Sequence, residues 1–140
     1  MRKILVGIIL CGVSLSNCRD NGDDQHQVPD FPVDLQLNLN LPQYGDLNFI
    51  GGWVYLNGGS MGIIAYRASQ DVFRAYDRHA PYNVIDECRV FVDSTSVTAS
   101  DECTTSQWLM SDGQVLNGPA TNPLREYITT YDGLTLRIYN

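Results

Sequence analysis

Asp101-Glu-Cys-Thr-Thr-Ser-Gln-Trp108 runs on to Asp112-Gly-Gln-Val-Leu-Asn-Gly-Pro-Ala-Thr-Asn-Pro-Leu-Arg-Glu-Tyr127. Residues 101–105 are polar and make a loop, and Ser106-Gln-Trp-Leu-Met110 is a short apolar strand. Asp112-Gly113 supplies a hairpin turn, because glycine takes a positive φ without strain. Gln114-Val-Leu116 returns from it, and the proline-bearing stretch 118–123 can only be a loop before the strand that begins at Glu126.

The same alternation of short strands and glycine turns extends outward in both directions. Downstream, Glu126-Tyr-Ile-Thr-Thr-Tyr131 and Leu134-Thr-Leu-Arg-Ile-Tyr139 are joined through Asp132-Gly133. Upstream, Val33-Asp-Leu-Gln-Leu-Asn-Leu-Asn-Leu41 alternates strictly, with Val33, Leu35, Leu37, Leu39 and Leu41 on one face. That period of two predicts a strand with one dry and one wet face. Leu47-Asn-Phe-Ile50, Gly52-Trp-Val-Tyr-Leu56, Met61-Gly-Ile-Ile-Ala-Tyr-Arg67 and Val72-Phe-Arg-Ala-Tyr76 follow as strands, with Asn57-Gly-Gly-Ser60 as a hairpin turn. Cys88-Arg-Val-Phe-Val-Asp93 and Ser96-Val-Thr-Ala99 complete the set. No amphipathic helical stretch stands out. The expected fold is all-β, a single domain of stacked antiparallel sheets or a small barrel.

The chain has 140 residues, enough for one domain, and a net charge of −7. That charge argues against nucleic acid, whose phosphates need clustered Lys and Arg. It also argues against electrostatic docking on anionic lipid.

Met1-Arg-Lys precedes Ile4-Leu-Val-Gly-Ile-Ile-Leu-Cys-Gly-Val-Ser-Leu15, a basic start and an apolar run too short to span a bilayer. It is expected to be a secretory signal occupying 1–17. Leu15-Ser-Asn-Cys18 resembles a lipobox, although Asn17 is bulkier than the usual small residue. The resemblance implies cleavage before Cys18 and acylation of its thiol, which would anchor the chain in a membrane. Cys11 would leave with the leader. Residues 18–32 are polar and acidic and are expected to form a flexible tether. Acidic residues directly after the lipid cysteine resemble the export signals of some Bacteroidetes lipoproteins. The implied location is the outer membrane, facing either the periplasm or the cell surface.

From about Phe31 onward, and most closely in its C-terminal third, the chain resembles a Rieske iron–sulfur domain. Such a domain carries Cys-x-His after a strand, then Cys-x-x-His-Gly-Ser-x-aromatic, an Asp-Gly turn, a Gly-Pro-Ala loop and a closing Pro-Leu-x-x-Tyr strand. Here Ala80-Pro-Tyr82 occupies the first ligand loop, so Ala80 stands for the first cysteine and Tyr82 for the first histidine. Asp101 and Thr104 take the second cysteine and histidine positions, Thr105 the glycine, Ser106 the serine and Trp108 the aromatic. A Rieske cluster needs two thiolates and two imidazoles. All four positions differ, so no cofactor is expected; the alternative is a [2Fe–2S] electron-transfer protein with unconventional ligation.

Several Rieske proteins tie their two loops together with a disulfide, and the resemblance implies one between Cys88 and Cys103. An exported protein suits it. A zinc site from Cys88, Cys103, His79 and Asp101 is the competing use of these residues, but no metal-ligand spacing supports it. The adjacent acids Asp86–Glu87 and Asp101–Glu102 point apart on extended chain, and Ser106 lacks a Gly-x-Ser-x-Gly context, so no catalytic constellation is found. The resemblance makes the loop end, with His79, Tyr82, Ser106, Trp108 and Pro119, the expected contact surface for a protein partner.

Overall fold

A computed structural model describes residues 27–140. The expected leader, Cys18 and the tether as far as residue 26 lie outside the described residues. Among the described residues, no helix is long and apolar enough to cross a membrane.

Among the described residues, ten strands and two short 3₁₀ helices follow one another. In chain order the strands are β1 (Asp34–Asn38), β2 (Trp53–Leu56), β3 (Ile63–Arg67), β4 (Phe73–Asp77), β5 (Val90–Val92), β6 (Thr98–Asp101), β7 (Gln107–Leu109), β8 (Val115–Asn117), β9 (Glu126–Tyr131) and β10 (Thr135–Tyr139). They form two sheets, one of six strands in the order β1-β10-β9-β4-β3-β2 and one of four in the order β5-β6-β7-β8. Every pairing is antiparallel. The all-β architecture of antiparallel sheets expected from the sequence is therefore the observed one.

Central strands explain the layering. Ile63–Tyr66 is buried without interruption, because β3 is covered on both faces. Ile63 and Ala65 join Leu37, Leu47, Phe73, Leu136 and Ile138 in one apolar cluster. That cluster draws side chains from both ends of the six-stranded sheet, so the sheet curls around it. Ile64 and Tyr66 point the other way, into a second cluster with Tyr76, Val90, Ala99, Trp108 and Met110. This second cluster cements the four-stranded sheet to the back of the first. Alternation on one strand thus feeds two cores.

Two expectations for the first third of the chain are corrected. The strand expected to reach Leu41 ends at Asn38, and Leu41 is 43% exposed. Pro42 is the cause: its fixed φ suits the first position of a helix, and a 3₁₀ helix runs over Pro42–Asn48. The strand expected at 47–50 is absent for the same reason. Leu47 is buried from that helix, whereas Phe49 and Ile50 stand 72% and 67% exposed. Gly52 closes this corner; a Cβ there would run into the Asp46 carbonyl.

The last six residues of the expected tether, 27–32, are held on the domain. Val28 is buried, and the Arg125 guanidinium donates to the Val28 and Pro29 carbonyls at 3.0 and 2.8 Å. Arg125 also pairs with the Asp30 carboxylate.

Candidate functional site

Three loops meet at one end of the molecule. The first joins β4 to β5, the second joins β6 to β7, and the third carries Pro119 between β8 and β9. These are the segments that the sequence resemblance assigns to a cluster.

A disulfide between Cys88 and Cys103 fastens the first loop to the second, with the two Cα atoms 5.9 Å apart. Two hydrogen bonds run beside it: Glu102 N–H donates to the Arg89 carbonyl at 3.1 Å, and Arg89 N–H donates to the Glu102 side chain, at Oε1, at 3.0 Å. The second loop is fastened to the third through Ser106 and Trp108. Ser106 Oγ accepts from Ala120 N–H at 3.0 Å, and Trp108 Nε1 donates to the Asn122 carbonyl at 3.0 Å.

The four residues at the ligand positions fit this frame and not an iron–sulfur cluster. Ala80 is buried and has no donor atom to offer. Tyr82 is half-buried and packs against the second apolar cluster. Asp101 turns inward and accepts from Cys103 N–H at 2.9 Å, from Thr104 N–H and from the Thr104 hydroxyl at 2.7 Å. Thr104 Oγ1 is also 2.7 Å from Ser106 Oγ. Asp101 and Thr104 are therefore bonded to each other, and the loop closes on itself. Both remaining cysteines are spent on the disulfide. Among the described residues, no group of three or more His, Cys, Asp or Glu side chains is gathered as a metal site.

His79 is equally committed. Its ring is 3% exposed; one nitrogen, Nε2, faces the Val84 carbonyl at 2.8 Å and the other, Nδ1, faces Ser60 Oγ at 2.8 Å. A carbonyl only accepts, so Nε2 carries the proton in the neutral ring and Nδ1 accepts from the Ser60 hydroxyl. No proposed zinc set survives this arrangement, since Cys88 and Cys103 are joined and both His79 nitrogens are occupied.

The expected contact surface is corrected in part. Pro119 is exposed and Tyr82 half so, but His79, Ser106 and Trp108 are buried. Their polar atoms bond the loops to one another, which is why they face inward. Ile85, which the sequence reading did not single out, is 74% exposed on the first loop and belongs to the outer face of this end.

Asp77 was also missed. It is fully buried at the end of β4, and its carboxylate accepts from Ser60 N–H at 2.7 Å, Met61 N–H at 3.3 Å, His79 N–H at 2.8 Å and the Tyr127 hydroxyl at 2.7 Å. Burial, and then the bond to Asp77, push the Tyr127 phenol up from its ordinary value. The available signal was an acid directly after the strand Phe73-Arg-Ala-Tyr76, since a carboxylate at the end of a buried strand must find donors.

Next to the loops lies a groove of about 910 Å³, bounded by Val28, Asp30, Pro81, Asn122, Pro123 and Arg125 among others. It separates the docked segment 27–30 from the proline loop.

Comparison with solved structures yields the same fold. The plasma membrane Rieske protein PetC3 of Synechocystis PCC 6803 superposes with a TM-score of 0.58 at 18% identity, over 74% of this chain and 97% of that one. The ferredoxin of Sphingomonas yanoikuyae B1 gives 0.51 at 12% identity, over 77% and 99%. A chain from the complex of oxygenase and ferredoxin in carbazole 1,9a-dioxygenase gives 0.50 at 12% identity, over 76% and 93%. No family model and no curated protein matches the sequence.

Proposed function

We propose that this chain, which has the Rieske-type fold, is a lipid-anchored extracytoplasmic module that works without an iron–sulfur cluster, by holding a protein partner. The reading rests on one observation above all: Asp101 and Thr104, at two of the ligand positions, are bonded to each other, and Ala80 has no donor atom. A cluster needs four soft or imidazole donors pointing at one place. This end of the molecule instead presents a disulfide, a closed Asp–Thr–Ser loop and a buried His79. Loops carried by a rigid sheet are where binding residues concentrate. Tyr82, Ile85 and Pro119 are among the side chains there that reach solvent, beside Asn83, Glu87, Thr105 and Pro123.

The anchor is supported by the sequence alone, through the lipobox-like Leu15-Ser-Asn-Cys18. The net charge of −7 speaks against nucleic acid as the partner.

Iron, zinc and acid-labile sulfide should be measured on the mature domain purified without chelators. The expected result is none of the three, and a spectrum without visible absorption. Stoichiometric iron with sulfide would overturn the reading and make the protein an electron carrier with ligands outside the four family positions.

A further inference from the structure

Two arginines and a glycine-rich loop face one another across a cavity of about 420 Å³. The loop is 57–62, between β2 and β3, and the arginines are Arg78 and Arg89, on either side of the first loop. The chain is acidic overall, at −7, yet among the described residues neither guanidinium has a carboxylate within ion-pair distance. Arg74, Arg125 and Arg137 each have one. Arg67 has none either, but its guanidinium is spent on the Leu47, Ser69 and Gln70 carbonyls.

Arg78 is held as a flat plate. Its guanidinium lies 3.7 Å from the Tyr55 ring centroid and 4.8 Å from that of Phe91. Nε donates to the Val90 carbonyl at 3.0 Å, and among the described residues the two terminal nitrogens have no partner. A guanidinium fixed by stacking offers its remaining N–H fork already oriented. Burial, together with the nearby Arg89 charge, lowers the Arg78 pKa, so the site carries positive charge that is partly withdrawn from water. Glu102 is the acid whose charge reaches Arg78, and its Oε1 already accepts the Arg89 backbone N–H.

The opposite wall is equally fixed. Asp77 accepts the Ser60 and Met61 N–H groups and so pins the loop. Gly62 has φ +100°, a backbone conformation that favours glycine, and the Arg78 stem runs beside it. The result is a concave site lined by two cations, whose neighbouring acids Asp77 and Glu102 are held by backbone N–H groups of the 57–62 loop and of Arg89.

We propose that this cavity binds a dianionic oxyanion, of the kind carried by phosphate and sulfate groups, between Arg78 and Arg89 at the 57–62 loop. Planar N–H forks match such oxygens bidentately, and two positive charges match two negative ones. The proposal goes beyond the metal-free reading and does not depend on it.

The test is calorimetric and NMR titration of the mature domain at low ionic strength with inorganic phosphate, with sulfate, and with a phosphate and a sulfate monoester of a sugar. Saturable binding that shifts the Gly58, Gly59 and Arg78 signals is expected. Arg89→Gln leaves the Tyr55–Arg78–Phe91 stack in place, and should weaken binding about tenfold or more, the scale of one charge-assisted hydrogen bond. Arg78→Lys keeps the charge but loses the fork, and should weaken it as well. Arg137→Gln, which alters a pair remote in the register, should not. Monoesters binding more tightly than the free ions would identify an esterified molecule as the source; equal affinities would identify the free anion. Absence of saturable binding, or an Arg89→Gln variant with unchanged shifts, native fold and undiminished affinity, would overturn the proposal.

Discussion

Two buried aspartates stand at the bases of the two disulfide-linked loops, and they do opposite work. Asp77 takes its donors from Ser60, Met61, His79 and Tyr127, three of which lie 16 to 50 residues away in the chain. It joins the 57–62 loop, the end of β4 and strand β9. Asp101 takes all of its donors from Cys103 and Thr104, two and three residues away. It shapes its own loop and nothing else directly. The same side chain, buried in both places, is a tertiary fastener in one and a local turn former in the other. What separates them is sequence distance. An Asx-type turn forms wherever the backbone allows it, whereas donors from two distant segments converge only after the sheets are in place.

Replacing Asp77 should be the costliest change. Asp77→Ala leaves three N–H groups and a buried phenol without an acceptor, and should destabilise by about 3–4 kcal/mol. Asp101→Ala should cost about 1 kcal/mol, because the freed donors sit on a partly exposed loop that water can reach. Urea midpoints of the two variants, measured side by side, check the contrast; equal losses would break it.

Removing the Cys88–Cys103 link tests whether the loops hold together without it. The bond closes a segment of 15 residues, and chain-entropy arguments give such a closure about 3 kcal/mol. The paired Cys88→Ser/Cys103→Ser variant should therefore unfold at clearly lower denaturant. If its midpoint matched the wild type, the hydrogen bonds of Glu102 and Arg89 would be sufficient to tie the loops.

The smallest effect is one of alkaline pH. The Tyr127 phenol is raised above its ordinary value of 10.0 by burial and by its bond to Asp77. The folded state therefore keeps a proton that the unfolded chain gives up. Stability is complete below pH 10 and falls as pH rises beyond it. Tyr76, raised chiefly by burial, adds to the same slope. Tm measured from pH 8 to 11 should decline, and Tyr127→Phe should flatten the decline while lowering the plateau, since it removes the bond to Asp77.

Much of the frame is legible in the sequence. The closing hairpin is the clearest case: the strand read at 126–131 is β9 as observed, and Asp132 accepts from Leu134 and Thr135 N–H in the turn where Asp-Gly was expected. The period of two at 33–41 locates β1 and its buried Leu37. It overruns by three residues because alternation continues in the letters after Pro42 has already forced a different backbone. The loop end is less legible. The positions of Ala80, Asp101 and Thr104 follow from motif order, yet the motif gives no hint that Asp101 and Thr104 bond to each other. His79, Ser106 and Trp108 are expected on the contact surface because the resemblance turns that end toward a partner and loops on a rigid scaffold carry binding residues. They are buried because each has a polar atom that finishes a loop-to-loop bond.

By itself the sequence determined the β class, the turns at Asp112-Gly113 and Asp132-Gly133, and the absence of Cys and His from positions 80, 82, 101 and 104. These are local properties, carried by side-chain period, glycine conformation and ligand chemistry. Only the tertiary structure decided which polar groups are buried, that Asp77 fastens three segments, and that Arg78 and Arg89 share one cavity. Those outcomes depend on distant residues meeting, and a hydrogen bond or a field between two side chains depends on their separation in space, which the order of letters does not contain.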